Sequence, residues 1–90
     1  MVKYLKRYLI MENKISVVAI IVSNPDAVDK VNSALHTFRE SIIGRMGIPQ
    51  KERGISVISV VLDAPLSIVN SLSGKLGMID GVSSKVLTAK

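Results

Sequence analysis

The sequence predicts a small α+β domain in which a strand–helix–strand unit occurs twice, giving the element order βαββαβ. Two long runs of β-branched residues predict buried strands, and two apolar stripes at spacings of three and four predict helices that lie on a core. The two halves of the sequence also align at an offset of forty residues. Such a doubled unit closes as a ferredoxin-like sandwich, a four-stranded antiparallel sheet with both helices on one face.

The first unit begins with a strand over residues 15–22 (ISVVAIIV). Asn24-Pro25 then offers a helix N-cap and a proline at the first helical position. We predict that this helix continues almost to Gly44, because its apolar stripe extends to Ile42. The stripe consists of Val28, Val31, Leu35, Phe38 and Ile42. A short strand over residues 45–49 completes the unit.

The second unit repeats this pattern. Its strand covers residues 55–62 (ISVISVVL), and its helix starts at about Pro65. The apolar positions of that helix are Leu66, Val69, Leu72 and Leu76. Gly77 suits a C-terminal cap, and Asp80-Gly81 predicts a turn into a last strand from Val82 to about Thr88.

The polarity of the strands predicts their order and an assembly. The two continuous apolar runs suit central strands, whereas the other two strands carry the glycine, proline and charged residues typical of edges. Residues alternate between the two faces of a strand, so if Ile15, Val17, Ala19 and Ile21 face the helices, then Val18, Ile20 and Val22 face away, and both faces are apolar. Since two helices cover only one face, a second copy of the chain is expected to cover the other apolar face or to extend the sheet. The alternative is that the N-terminal segment folds over it.

Composition limits the class of protein. Ninety residues suffice for a single core. The longest apolar run, residues 17–22, is far below the roughly 20 residues of a membrane span. Without cysteine, the chain has no disulfides and no thiolate metal ligands. We expect a cytoplasmic protein with no membrane segment, because no export signal is recognisable.

Positive charge is concentrated at the N-terminus. Lys3, Lys6 and Arg7 belong to the first ten residues, and the remainder of the chain is nearly neutral. We therefore divide the chain into a basic N-terminal extension, residues 1–12, and a domain, residues 13–90. An alternative function follows from the charge: a nucleic-acid-binding regulator that uses the extension together with basic residues of the domain, namely Arg45, Lys51 and Arg53.

The residues that suit catalysis or metal binding are few. His36 is the only histidine, so neither a metal site nor a hydrolytic triad can be assembled from one chain. Asp26 and Asp29 share the first turn of a helix, where acidic residues favour the helix dipole. No glycine-rich phosphate loop occurs. We predict a protein that is not an enzyme, and the residues identify no cofactor.

Gly74 and Arg45 are the more informative positions. A glycine inside a helix costs about 1 kcal/mol relative to alanine, so Gly74 suggests close approach of a ligand or a neighbouring backbone, with ordinary helix-on-sheet packing as the alternative. Arg45 suits an anionic ligand or an acid across a subunit interface, with a solvated edge-strand charge as the alternative.

Three segments resemble the regulators of the iron-only hydrogenase system. These are residues 42–49 (IIGRMGIP), 54–64 (GISVISVVLDA) and 72–82 (LSGKLGMIDGV), and the resemblance extends from about Asn13 to the C-terminus. That family is ACT-like, related in fold to amino-acid-binding ACT modules and to the C-terminal domain of the nickel-responsive regulator.

The resemblance implies a regulator that binds a small effector or a partner, such as a hydrogenase-maturation protein, at a subunit interface. ACT-type modules bind effectors around the loop from the first strand to the first helix, here residues 23–26, where backbone amides would receive a carboxylate. The absence of cysteine argues against nickel sensing by the route of the nickel regulator. The candidate ligand-binding residues are Asn24, Asp26, Arg45, Gly74 and Lys75.

Overall fold

The computed structural model describes residues 12–90, which form the predicted two-layer sandwich. Its strands and helices are β1 (Asn13–Val22), α1 (Val28–Thr37), β2 (Ile42–Gln50), β3 (Ile55–Pro65), α2 (Leu66–Gly77) and β4 (Val82–Thr88). The sheet has the order β2-β3-β1-β4, and every neighbouring pair is antiparallel. The predicted fold class and the central positions of β1 and β3 are thus confirmed. Apart from Glu12, the predicted extension over residues 1–12 lies outside the described residues.

The core lies between the two helices and one face of the sheet. Both central strands contribute their even-numbered residues to it. Of the predicted stripes, α1 contributes Val28, Val31 and Leu35, and α2 contributes Val69, Leu72 and Leu76. The fully buried large side chains are Val18, Ile20, Val22, Val31, Leu35, Val60, Leu62, Val69, Leu72 and Leu76. Burial of these apolar side chains supplies the main stabilisation of the fold.

The structure decides which face of β1 is buried, a question that the sequence left open. Ser16, Val18, Ile20 and Val22 face the helices, whereas Ile15 and Ile21 are exposed on the opposite face. The reason is that β1 is apolar on both faces, so its alternation carries no signal for the buried side. The one polar residue in the buried set is Ser16, whose hydroxyl oxygen lies 2.8 Å from that of Thr88. This hydrogen bond satisfies a buried hydroxyl.

The boundary between α1 and β2 also differs from the prediction. α1 ends at Thr37, and a 3-10 turn over Arg39–Ser41 leads directly into β2 at Ile42. Ile42 fits the helical spacing of the stripe, but it pairs with Leu62 of β3 and packs on the core as a strand residue. Strand pairing of this β-branched residue therefore overrides the helical pattern.

A β-bulge follows at once in β2. Ile42 lies opposite Leu62 and Gly44 opposite Val61, so the intervening Ile43 has no partner in β3. The extra residue changes the parity of the strand. Ile42 and Arg45, although three residues apart, therefore lie on the same, helix-covered side of the sheet.

A hydrogen bond to Gly81 connects the β1–α1 loop with the turn that precedes β4. The Ser23 amide donates to the Gly81 carbonyl at 2.8 Å, and φ of Gly81 is +81°. The predicted turn at Asp80-Gly81 is thus present, whereas Gly77 does not cap α2 in the left-handed conformation. Within residues 12–90, only Gly54 and Gly81 have positive φ. None of the described helices is long and apolar enough to span a membrane.

Candidate functional site

One face of the sheet is covered by no described helix; we call it the outer face. Residues directly opposite each other in an antiparallel sheet share a face, so the register identifies its members. One row across the four strands is Ile48, Val57, Ile21 and Ser83, and the next is Met46, Ser59, Ala19 and Lys85. A third row is Gly44, Val61, Val17 and Leu87.

The outer face exposes its apolar side chains to a large degree. Ile21 is 46% exposed, Met46 60% and Leu87 74%. The charged residues at its register positions are Lys85 on β4 and Asp63, which lies opposite Ile15. Exposed apolar surfaces of this kind mark protein–protein contacts or ligand sites. The sheet thus exposes apolar side chains on the side opposite to the helices.

Three surface depressions on the helix-covered side are formed by described residues. The helix groove, between α1 and α2, has a volume of about 420 Å³ and includes Lys75. The hairpin cleft, about 190 Å³, includes Pro25 and Lys51. The arginine pocket, about 260 Å³, includes Arg45 and lies between α1 and β2. The five predicted ligand-binding residues therefore do not converge on a single site.

Asn24 and Asp26 form the connection between β1 and α1. The Asn24 side chain accepts a hydrogen bond from the Asp26 amide at 3.0 Å, which is the N-cap predicted from the sequence. The Ala27 amide donates to the Asn24 carbonyl and the Val28 amide to the Pro25 carbonyl. Among residues 23–26, the amides of Ser23 and Asp26 therefore donate within the chain, and Pro25 has no N–H.

Arg45 forms a hydrogen bond with a side chain of α1. Its Nη2 donates to Oδ1 of Asn32 at 2.5 Å. The guanidinium therefore lies beside the helix on the covered side of edge strand β2, where it lines the arginine pocket with Arg39 and His36. Arg45 nevertheless stays exposed, so its placement does not decide between an anionic ligand and a solvated charge.

Gly74 and Lys75 lie on the exposed surface of α2. Lys75 Nζ is 5.7 Å from the centroid of the Phe38 ring, within the range of a cation–π contact that links α2 to the end of α1. A Cβ at Gly74 would meet no atom within 4 Å. No close approach within the described chain therefore requires this glycine.

Arg45 lies apart from the other two basic residues named in the nucleic-acid alternative. Arg45 lies in the middle of β2, whereas Lys51 and Arg53 belong to the 3-10 turn between β2 and β3. Five residues of an extended strand separate Arg45 from Lys51, or roughly 20 Å. No group of three or more potential metal-ligating side chains occurs among residues 12–90.

The grouping of Arg39, His36 and Asn32 around Arg45 was not predicted. His36 was considered only for a metal site or a hydrolytic triad, and Arg39 fell within the predicted first helix without an assigned role. The group becomes recognisable once α1 is known to end at Thr37, because Arg39 then lies in a 3-10 turn next to β2. The sequence does not indicate this helix end, because the apolar stripe continues beyond it to Ile42.

Comparison with known families identifies one match. A family model described as "TM1266-like: Iron-only hydrogenase system regulator, putative" matches residues 14–86. This range covers nearly all of the described strands and helices. No curated protein matches the sequence.

Solved structures include one close relative and more distant proteins of the same fold. The uncharacterized protein TM1266 from Thermotoga maritima is 36% identical, with a TM-score of 0.84, over 88% of this chain and 100% of that chain. Prephenate dehydratase from Streptococcus mutans is 17% identical, with a TM-score of 0.57, over 86% of this chain and 44% of that one. Formyltetrahydrofolate deformylase from Pseudomonas putida KT2440 is 16% identical, with a TM-score of 0.55, over 82% of this chain and 28% of that one. The last two similarities concern the fold alone.

Proposed function

Because the chain belongs to the TM1266-like family of iron-only hydrogenase system regulators, we propose that it is a regulatory protein without catalytic activity that acts as a homo-oligomer. A small effector or a partner protein binds at the interface between copies. The effector favours one arrangement of the subunits, and a partner, such as a hydrogenase-maturation protein, binds that arrangement more tightly.

The observation that carries this proposal is the apolar outer face. Its three complete rows place isoleucine, valine, methionine and leucine side chains on all four strands. Water contact with such a surface is unfavourable by about 25 cal/mol for each Å² of apolar area. Association through this face removes that cost, so the assembled form is the stable one.

A second copy of the chain is the occupant that fits best. Two copies of a flat sheet face are complementary in shape when they stack about a twofold axis. The outer face also has one charge of each sign, so that Asp63 of one copy can pair with the partner's Lys85. A dimer is the smallest assembly that covers the face, and a larger ring would cover it as well.

Substitution on the outer face tests the assembly. Ile21 is exposed and central in its row, so Ile21→Lys leaves the core of one chain intact but places a charge in the interface. We expect the wild-type chain to sediment as a dimer or larger species and Ile21→Lys to sediment as a monomer. Met78→Lys is the matched control, because Met78 is 88% exposed and follows α2 on the other side of the sheet.

Two results would contradict the proposed assembly. A wild-type chain that stays monomeric over a hundredfold range of concentration would exclude self-association through the outer face. If deletion of residues 1–11 then converted that monomer into an oligomer, the N-terminal segment would be the occupant instead. Equal dissociation of the Ile21→Lys and Met78→Lys variants would show that the interface lies elsewhere.

Native mass spectrometry of the protein purified from its own cells tests the effector. A defined additional mass on the oligomer would identify the molecule to titrate. An oligomer without additional mass, together with co-purification of a hydrogenase-maturation protein, would favour direct recognition of a partner. If neither an additional mass nor a co-purified protein is found under conditions that retain weak complexes, the result would argue against a regulatory role that depends on binding.

A further inference from the structure

The arginine pocket is a cationic depression between α1 and edge strand β2. Asn32, Leu35, His36, Arg39, Ile42 and Arg45 line its volume of about 260 Å³. We propose that it is a binding site for a small molecule that carries a phosphate group, with the guanidinium groups of Arg39 and Arg45 as the main ligands of that group.

Three different elements supply the two arginines and the imidazole. His36 belongs to the last turn of α1, Arg39 to the 3-10 turn that follows, and Arg45 to β2. The bulge at Ile43 places Arg45 on the same side of the sheet as Ile42, which packs against the core. Bulges commonly redirect a side chain towards a site. Here the bulge directs Arg45 towards α1.

Hydrogen bonds to neutral oxygens hold both arginines in position. Arg45 Nη2 donates to Asn32 Oδ1 at 2.5 Å, and Arg39 Nη1 donates to the His36 carbonyl at 3.0 Å. Each of these bonds uses one of the five N–H groups of a guanidinium. The other donors stay available to an anion, and the positioning reduces the entropy that binding would cost.

The charge of the pocket favours an anion. No acidic side chain lines it, and its apolar contacts come from the buried Leu35 and the half-buried Ile42. The C-terminal carbonyls of α1 carry a partial negative charge of about half a unit, which opposes an anion. Arg39 covers one of these carbonyls, and two full positive charges outweigh the partial charge. The net field in the pocket is therefore positive.

The geometry favours phosphate over a single carboxylate. Guanidinium groups bind phosphate oxygens through paired, charge-assisted hydrogen bonds, and a phosphate offers oxygens to two arginines at once. A volume of about 260 Å³ also leaves room for a small organic group beside the phosphate. Both inorganic phosphate and a phosphate monoester meet these requirements, so the experiment includes both.

This proposal does not rest on the regulatory role or on the oligomer. A single chain supplies every residue of the pocket, and the pocket lies on the helix-covered side, away from the outer face. Phosphate binding by a protein that proves to be monomeric would uphold this site while contradicting the proposed assembly. An intact oligomer that does not bind phosphate would uphold the proposed assembly and contradict this site.

An NMR titration tests the site. Inorganic phosphate and then glycerol 3-phosphate are added to the isotope-labelled full chain at constant ionic strength. We expect saturable shifts of the backbone amides of Asn32, His36 and Arg45, with tighter binding of the monoester if the organic group is recognised. Inorganic phosphate binding at least as tight would assign the pocket to the free ion.

Arginine variants identify the ligands of the phosphate. Arg45→Gln and Arg39→Gln should each weaken binding by about tenfold, because each removes a charge-assisted hydrogen bond. Arg53→Gln is the matched control, since it removes the same charge from an exposed arginine outside the pocket, and its effect should stay below about twofold. Thermal unfolding of each variant verifies that it is folded.

Three outcomes would overturn the proposal. The first is the absence of saturable shifts in the pocket with either probe. The second is equal weakening by Arg45→Gln and Arg53→Gln, which would indicate non-specific attraction to the net positive charge. The third is Arg45-dependent binding of duplex DNA without binding of either small probe, which would assign the arginine to a nucleic-acid backbone.

Discussion

Gly81 is the residue whose identity the structure constrains most directly. Its φ of +81° lies in the region that favours glycine, and a Cβ at this position would approach the Asn24 Cβ to 2.5 Å. The Gly81 carbonyl also accepts hydrogen bonds from the Ser23 amide at 2.8 Å and from the Ser23 hydroxyl at 3.1 Å. Gly81 thus holds the β1–α1 connection against the start of β4.

Substitution of Gly81 tests this constraint. Gly81→Ala should destabilise the protein by roughly 3 kcal/mol, because left-handed strain adds to an overlap with Asn24. Gly54→Ala is the matched control, since Gly54 has φ +65° but open space around it, and strain alone costs about 1–2 kcal/mol. Urea unfolding of both variants measures the difference. Equal losses would show that the contact with Asn24 relaxes without cost.

Substitution of Gly74 distinguishes a role in folding stability from a role in binding. It lies inside α2, and a Cβ there would meet no atom within 4 Å, so Gly74→Ala should stabilise the protein by about 0.5–1 kcal/mol through helix propensity. If a ligand or partner backbone approaches Gly74, the same variant should bind it more weakly. Thermal unfolding measures the first effect. A destabilised variant would mean that the glycine has a structural role within the chain.

Among the elements, edge strand β4 depends on a polar contact within an apolar core. Ser16 of β1 is fully buried and lies opposite Thr88 in the register, with 2.8 Å between their hydroxyl oxygens. The Ala89 amide adds a bond of 2.9 Å to the Ile15 carbonyl just beyond the strand. These bonds fix the end of β4 against β1.

A double-mutant cycle measures the contribution of the Ser16–Thr88 pair. Thr88→Val preserves shape but leaves the buried Ser16 hydroxyl without its partner, so it should cost about 1–2 kcal/mol of unfolding free energy. Ser16→Ala combined with Thr88→Val should cost less than the sum of the single changes, by about 1 kcal/mol. Strict additivity of the single effects in urea unfolding would indicate that water replaces the bond in each variant.

At the scale of the whole molecule, the two proposed binding surfaces lie on opposite sides of the sheet. The outer face lies on one side of the sheet, and the arginine pocket lies on the other, beside the helices. Stacking of two copies through the outer face therefore leaves the pocket open to solvent. An anion bound there would therefore make no direct contact with the second copy.

Assembly through the outer face should make thermal stability depend on protein concentration. A tenfold increase in the concentration of the wild-type chain should raise Tm by about 2–5 °C, because association favours the folded state. The dependence should vanish in Ile21→Lys and persist in Met78→Lys. Calorimetry at several concentrations measures it, and a Tm of the wild-type chain that is independent of concentration would contradict the assembly.

Patterns within a few neighbouring residues predicted most of the fold. The Asn24 cap, the turn at Gly81 and the bounds of β4 were correct because each depends on local backbone chemistry. The end of α1 was predicted too far along the chain, and the buried face of β1 was left open. Ile42 satisfies the helical and the strand pattern equally well, and β1 is apolar on both sides, so only contacts between distant segments decide either question.

The sequence by itself determined the order of the elements, the central positions of β1 and β3, and an apolar sheet face without a helix to cover it, since composition and periodicity encode these features. The tertiary structure alone decided which residues form that face and which residues surround Arg45. The physical reason is that both depend on pairing across the sheet: the register of β1 selects its buried side, and the bulge in β2 brings Arg45 to Asn32 on α1.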